Sequence, residues 1–377
     1  MHNAVVIVLY LFVNTLFVYK YGLRQSYVPV EILTVFYIVI ATVALVFSNR
    51  IIAALERLPA KRLMFFGLSG ITAVAMIWLI QRIDSEALNV DRWSALELTV
   101  EGITEGLYPY TRVDHVGNMS SNFPGLAWLA VPFYLLGDVG YLQIFVFVLF
   151  AWYLWTFPDK KSSAFFTLVL FVTAPAILWE IAVKSDLVSN ILLAYLFIEW
   201  WRKKYRDAVF SKPILLGAAL GFFMCTRAVL LIPLALFYFR PFVLAGLRKQ
   251  ILFFTSAVVT AILICLPILL TVPDWETFSQ FNPLTLQTDK APIYAYLLLL
   301  LVFVIPFFKK DYDDRLFYSA VIIFMIPATS MLEAITDRGF THMITTHSFD
   351  ISYLSMCLPA VLVWFYRDKS RAITASI

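Results

Sequence analysis

A lone aspartate at the start of a long polar passage is the residue of this sequence best placed to do chemistry. Asp91 opens the passage "DRWSALELTVEGITEGLYPYTRVDHVGNMSSNFPG", residues 91–125, directly before a segment of helical periodicity. A carboxylate in this position can take or orient the proton of an attacking hydroxyl group. Aspartate is also a preferred helix N-cap. The two roles are compatible, because a capping carboxylate keeps a free oxygen.

Basic residues that could hold an anionic substrate group occur in this passage and beyond it. Lys184 and Asp186 form a close pair in "EIAVKSDLVSN", and Arg227 interrupts the apolar run "MCTRAVL". Ammonium and guanidinium groups bind phosphate and stabilise charge that develops on it. The alternatives are a solvated salt bridge between Lys184 and Asp186 and a helix-end contact for Arg227. The further candidates for donor phosphate or sugar binding are Arg92, Arg112, His115, Asn118, Asn122, Arg338 and His347.

A metal site is conceivable at one place only. His342, His347 and Asp350 are possible zinc ligands by residue type. Their spacing does not put the two histidines on one helical face, because neighbours on a helix surface lie three or four residues apart. We therefore predict chemistry that depends on no metal and no cofactor.

The elements that must position these groups are apolar helices. The chain is 61% hydrophobic and 14% charged, whereas soluble domains have about 45–50% apolar and about 25% charged residues. Apolar stretches of about 18 residues can cross the hydrocarbon core of a bilayer. The sequence predicts an all-α polytopic membrane protein with about nine to eleven transmembrane helices in a single domain, 1–377, without a soluble domain. The candidate spans include 63–81, 251–273 and 291–308, and the shorter stretches 316–332 and 351–366.

Clusters of lysine and arginine between the spans predict the sidedness of the loops. Basic residues near span ends are retained in the cytoplasm. This rule places 82–125, 273–290 and 333–350 outside, with 82–125 as the first external loop. The basic residues form no contiguous face, so the net charge of +4 predicts no nucleic-acid partner. The basic clusters lie at 50–62, 202–206, 248–249, 309–315 and 367–371.

Two apolar segments leave their number of crossings open. Residues 123–157 could form a short hairpin broken at Gly137–Asp138, although the charge rule favours a single crossing. Residues 213–239 have basic loops on both sides and are predicted to form two short helices that meet near Thr226–Arg227. Broken helices are tolerated in a membrane where protein covers them or where they line a wet cavity. The segment near Arg227 is the one convincing break, and it has no matched partner elsewhere in the chain.

The first external loop is predicted to begin with an amphipathic helix that lies on the membrane surface. Trp93, Leu96, Val100 and Ile103 recur at spacings of three and four residues and form an apolar stripe. Such a helix can rest in the headgroup layer with its stripe in lipid and its acidic side in water. Gly106 is expected to end it.

This order of motifs resembles the first external loop of the GT-C superfamily of membrane glycosyltransferases. Asp91 heads an amphipathic helix and is followed by "GLYPY", a polar loop and "FPGLAWLAVPFYLLGD"; "KSD" at 184–186 resembles a further short motif of that superfamily. The superfamily includes protein O-mannosyltransferases and the lipid A aminoarabinose transferase. The resemblance covers roughly residues 63–200. It puts Asp91 in the place of the catalytic acid, and this chain has Arg92 where many members have glutamate.

The resemblance implies an inverting, metal-independent glycosyltransferase. It would move a sugar from a polyprenyl-phosphate carrier to a glycan, lipid or protein acceptor on the extracytoplasmic side. From the small size of the chain and the absence of targeting signals we expect a bacterial inner membrane. Asp91 would act as the base or orient the acceptor, and Lys184, Arg227 or Arg92 would hold the donor phosphate. A transporter or flippase for a lipid-linked or small polar substrate is the alternative, and paired broken helices would favour it. A polysaccharide polymerase or ligase is a third possibility, but such proteins normally carry their large external loop late in the chain.

Overall fold

The chain folds into α-helices joined by turns. The computed structural model describes residues 2–156, 161–206, 208–288, 292–346 and 348–372. Within these residues no strand forms, and the only β-type pairing is an isolated bridge between Val113 and Met119. The predicted all-helical class is confirmed.

Twenty α-helices make up the described chain. In chain order they are α1 His2–Gly22, α2 Val30–Val46, α3 Ser48–Glu56, α4 Lys61–Arg82, α5 Arg92–Glu105, α6 Pro124–Leu135, α7 Tyr141–Thr156, α8 Lys161–Val172, α9 Pro175–Ala182, α10 Leu187–Tyr205, α11 Pro213–Met224, α12 Leu231–Val243, α13 Leu247–Leu269, α14 Trp275–Gln280, α15 Pro283–Thr288, α16 Ile293–Phe308, α17 Tyr312–Arg338, α18 Phe340–Thr345, α19 Ser352–Ser355 and α20 Leu358–Ala372.

Several of these helices are long and apolar enough to cross a bilayer. Helices α1, α4, α13 and α17 meet this condition alone. The pairs α2–α3 and α8–α9, bent by 63° and 59°, raise the number within the described residues to six if each pair is one span. The predicted spans at 63–81, 251–273 and 316–332 correspond to α4, α13 and α17. The predicted span at 351–366 is instead divided between α19 and α20. The total of nine to eleven spans stays a prediction.

The helices gather into two compact units. The first unit contains Met1–Leu79, Val146–Ala182 and Asp311–Ile377, and the second contains Ile80–Phe145 and Val183–Lys310. Each unit is therefore assembled from segments that are distant in sequence.

In the first unit, α1 is held at both of its ends. Near its C-terminal end, Lys20 Nζ donates a hydrogen bond of 3.2 Å to the carbonyl of Thr346. At its N-terminal end, the ring of His2 stacks on Phe317 with centroids 3.9 Å apart. Thr346, in the predicted external segment 333–350, therefore lies at the end of α1 opposite to the start of α17. The charge rule had assigned these two regions to opposite sides of the membrane.

The first unit also contains a break between α8 and α9, where side chains of α1 form hydrogen bonds with free backbone groups. The Oδ1 atom of Asn14 accepts a hydrogen bond of 3.1 Å from the amide of Ala176, at the start of α9. The hydroxyl of Tyr10 donates to the carbonyl of Leu170, near the end of α8, at 2.7 Å. Both side chains are buried. Two neutral side chains of α1 thus satisfy backbone groups that the break leaves without helical partners.

In the second unit, glycines let α11 and α13 approach closely. A Cβ atom at Gly217 would lie 2.2 Å from the carbonyl oxygen of Phe253, and one at Gly221 would lie 2.4 Å from that of Ala257. Small residues four positions apart are typical of tight helix crossings in membranes. This contact fixes α11 against a long apolar helix.

Both segments with an open number of crossings are broken where the sequence suggested. Helices α6 and α7 are separated by a turn that contains Gly137 (φ +104°) and Asp138. Helices α11 and α12 are separated by Cys225–Leu230, which includes Thr226 and Arg227. The hairpin alternative for 123–157 and the two short helices predicted for 213–239 thus agree with the helix bounds, and the number of membrane crossings in each segment stays open.

Candidate functional site

Asp91 occupies the N-cap position of α5 but does not cap it. Its side chain accepts no hydrogen bond from the first turn of the helix. Instead, Oδ2 accepts a hydrogen bond of 3.0 Å from Nδ2 of Asn118, in the loop that follows α5. The capping interpretation is therefore wrong, and the carboxylate is held by a neutral amide donor. Gly106 ends α5 in the left-handed conformation (φ +69°), as expected.

The apolar stripe of α5 is covered largely by protein. Leu96 and Val100 are fully buried, and α5 packs against α6 within the second unit. Trp93 and Ile103 are partly buried. The expectation that lipid covers this stripe is thus wrong for its two central residues. The helix is anchored by packing, which holds its polar side in a defined orientation.

The loop after α5 folds back onto the polar side of the helix. The carboxylate of Asp114 accepts hydrogen bonds of 2.9 Å from the amides of Val116 and Asn118, and it thereby shapes the turn. His115 bonds to Ser94 Oγ through Nδ1 at 2.9 Å and to the carbonyl of Leu88 through Nε2 at 3.0 Å. A carbonyl can only accept, so Nε2 carries a proton and donates to Leu88. Both ring nitrogens are engaged, and His115 tethers the loop.

The two arginines of this passage have different surroundings. Arg112 Nη2 pairs with Glu101 Oε2 of α5 at 2.9 Å, and both side chains remain partly exposed. Arg92 is the first residue of α5 and is partly buried. The pair of Arg112 and Glu101 is thus a second contact that holds the loop against α5. Glu101 lies one helical turn after Glu97.

Lys184 lies in the turn between α9 and α10 and pairs with Asp138. Its Nζ atom is 2.5 Å from Asp138 Oδ2 and 5.9 Å from the centre of the Trp93 ring of α5. Lys184 has a φ of +53°, a left-handed conformation that is unfavourable for a residue with a side chain. The interpretation as a solvated salt bridge with Asp186 is wrong, because the lysine is buried and its partner comes from the α6–α7 turn.

Asp186, two residues further on, pairs with Arg227. The guanidinium donates from Nε and Nη2 to the two carboxylate oxygens, both at 2.5 Å, and Nη2 also donates to Asn122 Oδ1 at 3.1 Å. The side chains of Asp186 and Arg227 are only 2% and 6% exposed. A bidentate, buried pair of this kind fixes the guanidinium in one orientation. Asn122 is itself held through its carbonyl, which accepts from Tyr110 at 2.9 Å.

The break between α11 and α12 is tied to neighbouring elements on both sides of Arg227. The amide of Gly125, at the start of α6, donates to the carbonyl of Cys225 at 2.7 Å. Asn190 of α10 donates from Nδ2 to Thr226 Oγ1 at 3.1 Å, while its buried Oδ1 has no hydrogen-bond partner in the described chain. The N-terminal end of α6 therefore contacts the break that carries Arg227. Its C-terminal end leads into the turn that carries Asp138.

Glu97 is the carboxyl group with the most altered acidity in this region. Its pKa is raised from 4.5 to about 7, first by burial and next by the negative charge of Asp138. Lys184 lowers the pKa of Glu97 and Glu101 raises it. Glu97 lies one helical turn after Trp93, so it belongs to the side of α5 that faces Lys184.

The second unit thus brings together most of the predicted site residues. A run of contacts leads from α5 through Trp93 to Lys184, and another leads from the loop through Asn122 to Arg227. Arg338 is exposed at the end of α17 in the first unit, and His347 lies outside the described residues. The members that belong to the second unit are Asp91, Arg92, Arg112, His115, Asn118, Asn122, Lys184, Asp186 and Arg227.

Three participants were not predicted. The sequence indicates Asp138 only as part of a helix break, and it predicts no role for Glu97 or Asn190. The sequence "LLGDVG" has an acid between two apolar segments. An ionisable residue in such a place is the one sequence signal that could have indicated Asp138. No group of three or more possible metal ligands occurs within the described residues.

Comparison of the chain with protein-family models, with curated proteins and with solved structures finds no match in any of the three.

Proposed function

We propose that this chain is a glycosyltransferase of the GT-C type that uses a polyprenyl-phosphate sugar. The acceptor is a glycan, lipid or protein outside the cytoplasm, and the reaction inverts the anomeric centre without a metal. The chain is a multi-pass protein of a bacterial inner membrane, with about nine to eleven spans. Loop 82–125 and the α9–α10 turn face outward in this proposal, as the basic loops predict.

The observation that carries this proposal is the unused hydrogen-bonding capacity of two fixed cations. Arg227 has five N–H donors, and the two on Nη1 have no acceptor among the described residues. Lys184 uses one N–H for Asp138, which leaves two. Phosphate oxygens are suitable acceptors for these donors, because charge-assisted bonds to phosphate are strong. Asp138 and Asp186 hold the two cations in place.

The chemistry follows from these positions. The acceptor hydroxyl attacks the anomeric carbon from the face opposite the phosphate and loses its proton to a carboxylate. The bond between the anomeric carbon and the phosphate oxygen breaks, and the polyprenyl phosphate leaves with the electron pair. Lys184 and Arg227 stabilise the charge that develops on the leaving phosphate. Asp91, fixed by Asn118, takes the proton or orients the hydroxyl.

A transfer assay with the purified protein in nanodiscs tests this function. Labelled polyprenyl-phosphate sugars are supplied together with candidate acceptors, and product is measured by chromatography. We expect Asp91→Asn to lower turnover by about 10²–10⁴-fold, the usual contribution of a positioned acid or base. Asp84→Asn is the matched control, because Asp84 is exposed and bonds only to the nearby amide of Glu86 among the described residues.

Two results would contradict the proposal. Full activity in Asp91→Asn would remove this residue from the site, and a wild-type protein that consumes no polyprenyl-phosphate sugar with any acceptor would reject the function itself.

A transporter or flippase is the second candidate, and the bent helices favour it. Besides the break near Arg227, the described chain contains the bent pairs α2–α3 and α8–α9 in the first unit. Paired broken helices are common in transporters. A flippase would move a labelled lipid-linked sugar across a liposome membrane without any acceptor. Accessibility of the labelled headgroup to a membrane-impermeant reagent measures this movement.

A further inference from the structure

We infer that Glu97 is the group that accepts the proton of the acceptor hydroxyl, and that Asp91 orients that hydroxyl. This inference rests on the proposed function and assigns separate roles to two carboxyl groups of the same site. It makes Glu97 a catalytic residue that contacts the acceptor.

The first argument is that the neighbouring carboxylates are already engaged. Each of five acids of this layer has a protein partner that holds it. Glu97 has neither a hydrogen bond nor an ion pair with any residue that the structure describes. A carboxylate that is to receive a substrate proton needs a free oxygen; both oxygens of Glu97 are free among the described residues, whereas Asn118 occupies one oxygen of Asp91. The engaged pairs are Asp91 with Asn118, Glu101 with Arg112, Asp114 with the amides of its own turn, Asp138 with Lys184, and Asp186 with Arg227.

The second argument is position. Glu97 follows Trp93 by one turn on α5, and Lys184 lies over the Trp93 ring. The carboxyl group is therefore on the side of α5 that faces the α9–α10 turn, where the donor phosphate is proposed to bind. Its side chain is only partly buried, so a substrate can reach it.

The third argument is electrostatic. Burial and Asp138 raise the pKa of Glu97 to about 7, Lys184 lowers it and Glu101 raises it. Tyr134 of α6 also interacts electrostatically with Glu97, as it does with Glu101, Glu105 and Arg112. A general base works best when its pKa lies near the operating pH.

The proton transfer is balanced within the proposed reaction. The O–H bond of the acceptor breaks and its proton goes to a carboxylate oxygen of Glu97. The oxygen's electron pair forms the new bond to the anomeric carbon, and the phosphate departs with the electrons of the old bond. Glu97 then returns the proton to water before the next cycle.

The pH dependence of transfer tests this role. For the wild type we expect kcat/KM to rise with pH and to level off above about 7, because Glu97 must be ionised to accept a proton. Glu97→Gln should lower kcat by about 10²-fold and remove this rise. Glu105→Gln is the matched control on the same helix; Glu105 is exposed, and the rise should persist.

A second variant tests the electrostatic setting without removing the base. Asp138→Asn removes the charge that raises the pKa of Glu97, so the midpoint of the rise should move to lower pH. Glu97→Asp keeps a carboxyl group and should keep the rise with a lower kcat. This variant therefore distinguishes loss of the base in Glu97→Gln from a folding defect.

The results separate this inference from the proposed function. If Glu97→Gln keeps the wild-type kcat and pH profile while Asp91→Asn is inactive, Glu97 is not the proton acceptor and the proposed function stands. A midpoint that does not move in Asp138→Asn also overturns the inference. If the wild type shows no transfer at all, both fail.

Discussion

Two helix breaks, one in each unit, are held together by opposite kinds of chemistry. The break between α8 and α9 is satisfied by neutral side chains, the amide of Asn14 and the hydroxyl of Tyr10. The break between α11 and α12 carries Arg227, whose buried guanidinium is paired with Asp186. In both breaks, polar groups lie inside an apolar helix bundle.

The difference indicates which break serves more than structure. An amide or hydroxyl satisfies free backbone groups at modest cost, since each hydrogen bond contributes about 0.5–1.5 kcal/mol net. A buried ion pair must overcome the desolvation of two charges and often adds no stability compared with apolar residues of similar size. Neutral groups suffice at the α8–α9 break, so repair alone does not explain an arginine at the other. In the proposed function, the donor phosphate is the ligand that needs this charge.

The largest expected effect comes from removing one member of the buried pair. Arg227→Met leaves Asp186 charged and buried, and we expect it to lower the free energy of unfolding by about 3–5 kcal/mol. The double variant Asp186→Leu with Arg227→Met should recover most of this loss but no transfer activity. Denaturant unfolding in detergent, followed by tryptophan fluorescence, measures both. If the double variant is as unstable as the single one, the pair is structural and the comparison above is wrong.

A smaller effect is expected at the neutral break. Asn14→Leu leaves the buried amide of Ala176 without its acceptor, which should cost about 1–3 kcal/mol. Asn3→Leu is the matched control, because Asn3 is exposed on the same helix. The same unfolding measurement applies. A loss equal to that of Arg227→Met would show that the two breaks depend equally on their polar groups.

The smallest effect concerns the pH dependence of stability. The pKa of Glu97 is raised from 4.5 to about 7 on folding, so the folded state binds the proton more tightly than the unfolded state. Stability is therefore lost as pH rises through this interval. Glu97→Gln removes the dependence and should have a Tm above that of the wild type at pH 8 and close to it at pH 4.5. Thermal scans in nanodiscs at both pH values measure the difference, and equal Tm differences at the two values would contradict the assignment of this pKa.

Local features of the chain made much of the fold predictable. Long charge-free stretches indicated α4, α13 and α17, because length and apolarity are properties of the segment itself. The break at Gly137–Asp138 was predictable from a glycine and an acid between two apolar runs. The division of 351–366 into α19 and α20 was not predicted, although Pro359 in the first turn of α20 is a residue that commonly starts a helix.

The pairing of charges was much less predictable. Lys184 and Asp186 were expected to pair because they are two residues apart, but they bind Asp138 and Arg227, 46 and 41 residues away in sequence. The cap at Asp91 was expected from residue type, yet Asn118 of a later loop takes its carboxylate. Neighbours in sequence are weak guides here, because a turn can direct successive side chains towards different elements.

The sequence by itself determined the helical class, the apolar segments and the set of ionisable residues between them. Hydrophobicity and helix-breaking residues act locally, so their effects can be predicted from the sequence without knowing which segments pack together. Only the tertiary structure decided that Asp138 restrains Lys184, that Asp186 orients Arg227 and that Glu97 has no hydrogen-bond or ion-pair partner among the described residues. These relations depend on which helices pack together, and in a low-dielectric interior the distance to a neighbouring charge governs what each ionisable group can do.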